Sequence, residues 1–91
     1  DFDRAIELNS NNGKAWVGRG YTYRAINRYT AALKDFDRAL EIDCNNGWAL
    51  TGRGATYCRM ENYNEALSDF ERALELSSKQ HYEGALAGRG Y

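Results

Sequence analysis

The stretch that decides the fold is Gly52-Arg53-Gly54-Ala55-Thr56-Tyr57, because the chain carries it more than once. An earlier copy reads GRGYTY at 18–23, and the 91-residue sequence ends within a third copy, GRGY at 88–91. The copies start at Gly18, Gly52 and Gly88, so the second interval is only slightly longer than the first. A period of roughly 20–50 residues is typical of a solenoid, in which each repeat packs on its neighbours.

A second marker with nearly the same period lies between these copies. DFDRA at 1–5 returns at 35–39 and, as DFERA, at 69–73, so its two intervals are equal. The two markers alternate, so each repeat contains one helix of each type, and we expect the chain to be an excerpt of a longer array. The predicted units are 1–12 (second helix of a preceding repeat), 13–46 (a repeat), 47–82 (a repeat with a two-residue loop insertion) and 83–91 (first helix of a truncated repeat).

Apolar residues recur at helical spacing throughout, which predicts an all-α protein without strands. Clusters containing Asn and Gly at 9–13 and 43–47, and an Asn in each of the short turns at 27–28 and 61–62, indicate where helices end. A longer loop at 77–82 accounts for the longer second interval between the Gly-Arg-Gly copies. The six predicted helices span roughly 1–8, 14–26, 30–42, 48–60, 64–76 and 83–91.

Small residues predict close packing between the two helices of a repeat. Gly20 and Gly54 each cost about 1 kcal/mol inside a helix relative to alanine, so their recurrence at one place indicates a close helix–helix approach. We expect Phe36 and Phe70 to fill the space beside these glycines, and Trp16 to lie in the core.

The composition argues against several classes of protein. A net charge of −1, from 12 basic and 13 acidic residues, lacks the strongly basic face that nucleic-acid binding needs. No apolar run approaches the roughly 18 residues of a membrane span. The two cysteines, Cys44 and Cys58, suit a reducing, cytoplasmic compartment. Both are expected to be free thiols, because a length of helix holds them too far apart for a disulfide.

The sequence gives little evidence for a catalytic site or a metal site. The lone histidine, His81, lies in a predicted loop far from both cysteines, whereas a zinc site needs about four ligands. The stretch Gly18-Arg19-Gly20 follows no strand, so it fails the context that a phosphate-binding loop requires. We expect no enzyme activity, no cofactor and no metal.

The repeated residues resemble the tetratricopeptide repeat family, whose pattern places Trp, Leu-Gly, Tyr, Ala and Phe at fixed positions. The matching residues are Trp16, Gly20, Tyr23, Ala32, Phe36 and Ala39 in the first repeat and Leu50, Gly54, Tyr57, Ala66, Phe70 and Ala73 in the second. The resemblance covers essentially the whole chain. It departs where arginine replaces leucine at 19, 53 and 89, and where Ser10, Cys44 and Ser78 replace the loop prolines.

The resemblance implies a right-handed α-solenoid of antiparallel helix pairs. It also implies that the first helix of each pair lines a concave groove that binds an extended or helical peptide. The groove candidates are Lys14, Val17, Tyr21, Arg24, Trp48, Thr51, Ala55, Cys58, Arg59 and Tyr91, with Gly18, Ala25, Gly52, Gly84, Ala87 and Gly88 beside them.

One branch of this family clamps a terminal carboxylate with Lys and Asn. The matching positions here hold Val17, Tyr21, Gly52, Gly84 and Gly88. That clamp is therefore not expected, and the smooth, aromatic lining favours an apolar or helical segment instead.

Two sets of alternatives stay open from the residues. Tyr21 and Trp48 either line the groove or pack against neighbouring helices. The recurring arginines, such as Arg53, either pair with an aspartate of the second helix, such as Asp69, or contact a ligand. The other alternative for Asp69 itself is a pair with Arg72 in its own helix, which is worth only a few tenths of a kcal/mol.

The predicted function is a protein-interaction scaffold whose partner is a protein or peptide. The alternative is a structural spacer without a specific ligand. Since the chain begins with a second-type helix and ends within a first-type helix, Phe2, Ala5 and Ile6 are expected to be bare at one end, and Leu86 and Gly90 at the other. We expect head-to-tail self-association through these ends.

Overall fold

The computed structural model describes the backbone of residues 2–89 and the side chains of residues 2–77. Over that part of the chain the structure consists of five α-helices and contains no strand. The helices are α1 (Phe2–Leu8), α2 (Gly13–Ala25), α3 (Tyr29–Ile42), α4 (Gly47–Arg59) and α5 (Tyr63–Arg89). Each helix packs against the next, and α2 also contacts α4. Short connections make consecutive helices antiparallel, so the predicted all-α solenoid of helix pairs is confirmed.

The predicted loop at 77–82, and the separate helix after it, are wrong. Helix α5 continues without a break from Tyr63 to Arg89, which gives five helices instead of six. The loops that do form, at 9–12 and 43–46, contain asparagines and precede a glycine. Neither residue type occurs at 77–82, so nothing in that stretch stops a helix. The boundary of the second repeat at residue 82 stays a prediction.

Asparagine side chains fix where the first helix of each repeat begins. The side-chain oxygen of Asn12 accepts a hydrogen bond from the backbone N–H of Ala15 at 3.2 Å. Asn46 does the same for Ala49 at 3.1 Å. Each cap satisfies one of the N–H groups that the first turn of a helix leaves unpaired, so α2 and α4 start at equivalent positions.

The turn inside each repeat relies on a left-handed residue. Asn27 has φ 65°, and Glu61 has φ 64° at the equivalent place. The N–H of Arg28 donates to the carbonyl of Tyr23 at 2.8 Å, which completes the usual helix-ending motif around Asn27. Asparagine adopts the left-handed conformation more readily than most residues, whereas for glutamate, as at Glu61, it is uncommon.

The two glycines of the Gly-Arg-Gly stretch hold phenylalanines from different repeats. Phe36 is fully buried between Gly20 of α2 and Gly52 of α4. A Cβ atom would lie 2.8 Å from the Phe36 ring at Gly20 and 2.5 Å from it at Gly52. The same contacts recur between Gly18 and Phe2 and between Gly54 and Phe70. The second glycine of each Gly-Arg-Gly stretch therefore makes room for the phenylalanine of its own repeat, as predicted. The first glycine of the stretch makes room for the phenylalanine of the preceding repeat.

The arginine between these glycines joins the same two repeats by charge. Nε and Nη2 of Arg53 donate to both carboxylate oxygens of Asp69 in its own repeat, each at 2.8 Å. Nη1 donates to Asp37 of the preceding repeat, also at 2.8 Å. The hydrogen bonds to Asp69 raise the pKa of Arg53. Arg19 repeats this arrangement with Asp35 and Asp3, again over 16 residues in each direction.

This geometry decides between the alternatives for the arginines. The pair between helices forms in both repeats, and the Asp69 side chain is only 8% exposed, so it is not a solvated surface contact. Arg72 pairs with Glu75 in its own helix and not with Asp69. Because its nitrogens already bind two carboxylates, Arg53 stabilises the array and is not placed to contact a ligand.

The core runs along the seam between the helix pairs and thins towards the ends. Its buried cluster is Val17, Ala32, Phe36, Ala39 and Ala49. Trp16, predicted in the core, is half-buried and packs on the edge of this cluster.

The ends of the described part expose apolar side chains. On α3, Leu33 and Leu40 are half-buried, whereas Leu67 and Leu74 at the equivalent places on α5 are 58% and 66% exposed. At the other end Phe2 is 43% exposed, as predicted, and its neighbours Ala5 and Ile6, predicted to be bare, are half-buried. Leu86 and Gly90 lie outside the residues whose side chains are described. Self-association through these ends stays a prediction.

Candidate functional site

An open groove lies where the first helices of the two repeats run side by side. Its volume is about 470 Å³. Four lining residues belong to α2 and share one helix face, because they follow the spacing of three, four and seven residues. The lining residues are Lys14, Val17, Gly18 and Tyr21 of α2, with Asn46 and Trp48 at the start of α4.

Tyr21 forms the fixed wall of this groove. Its ring meets the Phe36 ring edge-on, with centroids 5.2 Å apart. Its hydroxyl donates a hydrogen bond to the backbone carbonyl of Trp48 at 2.9 Å, which ties α2 to α4. Burial raises the pKa of Tyr21, and the nearby charge of Arg24 opposes that shift in part. Both alternatives for Tyr21 therefore hold, because it packs on the core and lines the groove.

Trp48 supplies the largest exposed apolar surface of the groove. Trp48 is 75% exposed, and it lies two residues after Asn46, which caps α4. The alternative that Trp48 packs against neighbouring helices is wrong, since a packed indole would be mostly covered. Exposed tryptophan beside a concave apolar wall is the kind of feature that marks binding surfaces.

Lys14 places a positive charge at the same end of the groove. It occupies the position on α2 that Trp48 occupies on α4, one repeat later. Its side chain is exposed, and within residues 2–77 it forms no ion pair. The groove thus offers an aromatic surface and an unpaired cation next to each other.

The other groove candidates that the structure describes do not line this pocket. Arg24 is half-buried, and its Nε has no hydrogen-bond partner among the described residues. Arg59 is exposed, and its Nε donates to the Tyr29 hydroxyl at 3.3 Å. Thr51 is exposed, while Ala55 and Cys58 are half-buried on α4. Tyr91 lies outside the described residues.

Sequence reasoning missed Asn46 because it treated that residue as part of a loop. The residue caps α4, so its position is fixed by the helix and not by a mobile turn. The signal that could have found it is the Asn-Asn-Gly triplet, which occurs before α2 as well as before α4.

Other kinds of site do not appear in the described part of the chain. Cys44 is exposed and Cys58 is half-buried, and both are free thiols, as predicted. Among the described residues no group of histidine, cysteine and carboxylate side chains is arranged to hold a metal. None of the described helices is both long enough and apolar enough to cross a membrane.

Several solved structures share this architecture. The second TPR of Spaghetti (RPAP3) bound to the HSP90 peptide SRMEEVD is 31% identical, with a TM-score of 0.79, over 82% of this chain and 69% of that one. YrrB, a TPR protein with an unusual peptide-binding site, is 33% identical, with a TM-score of 0.81, over 84% of this chain and 39% of that one. MamA is 25% identical, with a TM-score of 0.83, over 89% of this chain and 47% of that one. The chain therefore spans less than half the length of the latter two.

The sequence itself gives the family. No curated protein sequence matches the chain significantly. The sequence profile described as Tetratricopeptide repeat matches it twice, at residues 13–46 and 47–80. These adjoining matches cover most of the chain, the first containing α2 and α3 and the second α4 and α5 as far as residue 80, so the protein belongs to the tetratricopeptide repeat family, with its right-handed α-solenoid fold.

Proposed function

We propose that this protein is an interaction scaffold that binds a peptide or helical segment of a protein partner in the groove between α2 and α4. The observation that carries the proposal is the open groove of about 470 Å³, in which Trp48 is 75% exposed. A solenoid that served only as a spacer would have no reason to leave an indole uncovered at the mouth of a cavity. Relatives of the same fold also bind peptides, as the RPAP3 and YrrB structures indicate.

The lining chemistry defines the peptide that fits best. Val17 and the ring of Tyr21 provide an apolar wall, so an aliphatic or aromatic side chain enters the groove. Lys14 lies at the edge without an ion-pair partner among the described residues, so an acidic residue next to that side chain is favoured. The positions that bear a carboxylate clamp elsewhere in the family hold Val17 and Tyr21, so the bound segment need not end in the groove.

The test is selection of peptides from a random library on the immobilised protein, followed by titration of the selected peptides against three variants. Trp48→Ala removes the exposed indole, and because the side chain is largely solvated this change leaves folding intact. Truncation of an aromatic anchor costs about 2 kcal/mol or more, so affinity should fall at least about thirtyfold. Lys14→Glu should weaken the peptides that carry an acidic residue and spare the others.

The matched control is Tyr63→Ala, because Tyr63 is also an exposed aromatic residue, 62% accessible, but lies on α5 away from the groove. It should bind the selected peptides like the wild type. Peptides that bind Trp48→Ala as tightly as the wild type would contradict groove binding. A library that yields no groove-dependent peptide at all would favour the spacer.

A further inference from the structure

A second pocket lies on the opposite side of α2 from the groove. It has a volume of about 430 Å³ and opens between α2 and α3 of the first repeat. Successive residues of a helix are separated by about 100°, which puts Trp16, Arg19 and Tyr23 roughly half a turn away from Val17 and Tyr21. The lining residues of this α2/α3 pocket are Trp16, Arg19, Tyr23, Ala31, Lys34, Asp35 and Arg38.

Its floor is a fixed stack of aromatic rings and a guanidinium. The guanidinium carbon of Arg19 lies 5.1 Å from the centre of the Trp16 ring and 5.6 Å from that of Tyr23. The indole N–H of Trp16 donates to the carbonyl of Ser10 at 2.8 Å, so this hydrogen bond and the contact with Arg19 together fix the orientation of the ring. Arg19 itself is locked by its bidentate hydrogen bonds to Asp35 at 2.9 Å. The floor is therefore preorganised, which lowers the entropy cost of binding.

The rim of the pocket carries positive charge that the protein does not fully neutralise. Lys34 is exposed and forms no ion pair with any described residue. Arg38 lies one helical turn further along α3, with its guanidinium carbon 6.0 Å from the centre of the Trp16 ring. Among the described residues it pairs with one carboxylate, that of Glu41, at 2.8 Å. The only acidic lining residue, Asp35, is already bound by Arg19. Charge complementarity thus favours an anionic ligand.

The second repeat has the same fold but lacks part of this chemistry. At the positions of Trp16, Ala31 and Lys34 it carries Leu50, Glu65 and Ser68. The packing of a repeat therefore requires neither the tryptophan nor the lysine at these places. The second repeat keeps Arg53, Tyr57 and Arg72 at the other positions, so the tryptophan of the floor and the lysine of the rim are what distinguish the pocket of the first repeat.

We propose that the α2/α3 pocket is a second recognition site, which binds an acidic segment of a partner polypeptide. A carboxylate of that segment pairs with Lys34 and Arg38, and a neighbouring apolar side chain covers the exposed part of Trp16. A polypeptide fits better than a small free anion, because an anion alone would leave the aromatic floor uncovered and most of the 430 Å³ filled with water. Since this site and the groove lie on opposite sides of α2, the repeat can hold two segments at once.

The two tryptophans of the chain provide a separate reporter for each site, because Trp16 lies in the α2/α3 pocket and Trp48 in the groove. In Trp48→Phe only Trp16 emits as a tryptophan. The probes are the capped peptide acetyl-Gly-Glu-Leu-Glu-Gly-amide, its counterpart with glutamine for both glutamates, and inorganic phosphate. We expect the glutamate peptide to shift Trp16 emission saturably and the glutamine peptide to bind several times more weakly, since each exposed ion pair contributes up to about 1 kcal/mol, or about fivefold.

The matched variants replace residues of the first repeat by those at the equivalent positions of the second repeat. Lys34→Ser should weaken the glutamate peptide by about three- to fivefold, and Ala31→Glu with Lys34→Ser by about tenfold or more, because a carboxylate then faces the ligand. Circular dichroism checks that both variants keep the wild-type melt. If the double variant has a lower melting temperature than the wild type, the affinity of Lys34→Ser alone for the glutamate peptide tests the proposal. In Trp16→Phe, where Trp48 reports on the groove, Lys34→Ser should leave the affinity for groove-selected peptides unchanged, so the two sites are tested separately.

Three results would overturn the proposal: no saturable Trp16 response to the glutamate peptide up to millimolar concentration, equal binding of the glutamine peptide, or unchanged affinity in the folded Lys34→Ser variant. Phosphate that binds as tightly as the glutamate peptide would also overturn it, because the pocket would then be a site for small anions.

Discussion

Replacing Gly52 by alanine tests whether the first glycine of the Gly-Arg-Gly stretch is needed for docking one repeat on the next. A Cβ atom at this position would lie 2.5 Å from two carbon atoms of the Phe36 ring and 3.0 Å from Tyr21. The ring would have to retreat by roughly 1 Å to restore ordinary van der Waals contact. It has no room to do so, because Phe36 is fully buried and Gly20 closes on its other side.

Two opposing effects decide the sign of this change. Alanine is favoured over glycine inside a helix by about 1 kcal/mol. Overpacking a close-packed core costs about 1–3 kcal/mol, and the upper part of that range applies where the displaced group is held on both sides. We therefore expect Gly52→Ala to lower the free energy of unfolding by about 1–2 kcal/mol, which for a chain of this size lowers Tm by about 4–16 °C.

The assay is thermal and urea unfolding followed by circular dichroism, with Gly47→Ala as the matched control. Gly47 lies in the first turn of the same helix, and a Cβ atom there would meet nothing within 4 Å. That variant should be as stable as the wild type or slightly more so. The double variant Gly52→Ala with Phe36→Leu should lose less stability than the sum of the losses of the two single variants, because the smaller side chain makes room for the added methyl group. A Gly52→Ala protein at least as stable as the wild type would refute the reasoning, since helix propensity would then outweigh the contact with Phe36.

Three further outcomes follow from the packing and the charges. A double-mutant cycle on Arg53 and Asp69, each replaced by alanine, should give a coupling free energy of about 1–3 kcal/mol in urea unfolding. The reason is that the pair is bidentate and the Asp69 side chain is nearly buried. A coupling near zero would mean that the pair contributes no net stability. Phe36→Ala should lower the free energy of unfolding by about 3–5 kcal/mol, and by more than Phe70→Ala does. The reason is that Phe36 is fully buried between two repeats, whereas Phe70 is half-buried. Equal losses of stability in the melts of the two variants would contradict this difference. Light scattering should show a mass that rises with protein concentration and a smaller rise for Phe2→Glu, because Phe2 is an exposed apolar residue at one end of the described helices. A mass that stays monomeric in both proteins would count against head-to-tail association.

Much of the candidate site could be located from the sequence, because the resemblance gives the face of the first helix that lines the groove. Of the ten candidates, Lys14, Val17, Tyr21 and Trp48 meet in one pocket. Five of the others do not line it, and Tyr91 lies outside the described residues. The resemblance applies to every repeat alike, whereas a pocket forms only where side chains of neighbouring helices leave space. That space depends on the bulk of individual side chains, which a repeat pattern does not specify.

The sequence by itself determined the elements of the array and the contacts within a repeat. The regular spacing of the two markers identified the solenoid. Asparagine and glycine marked the ends of the helices, because their local conformational preferences act within a few residues. The same local logic explains the error at 77–82, where the expectation of a loop came from the repeat spacing and not from any residue that stops a helix. The pairing of Gly20 with Phe36 also followed from the sequence, since a large residue needs a small one opposite it.

Only the tertiary structure decided how one repeat joins the next. Arg53 binds carboxylates of two repeats at once, those of Asp37 and Asp69, and Gly52 contacts Phe36 of the preceding repeat. A repeating sequence offers an aspartate 16 residues before and 16 residues after Arg53, so it cannot say which direction is used. The structure shows that both are used, because the rotation between successive helix pairs brings the second helix of one repeat against the first helix of the next. The same rotation sets the distance between α2 and α4, and with it the groove.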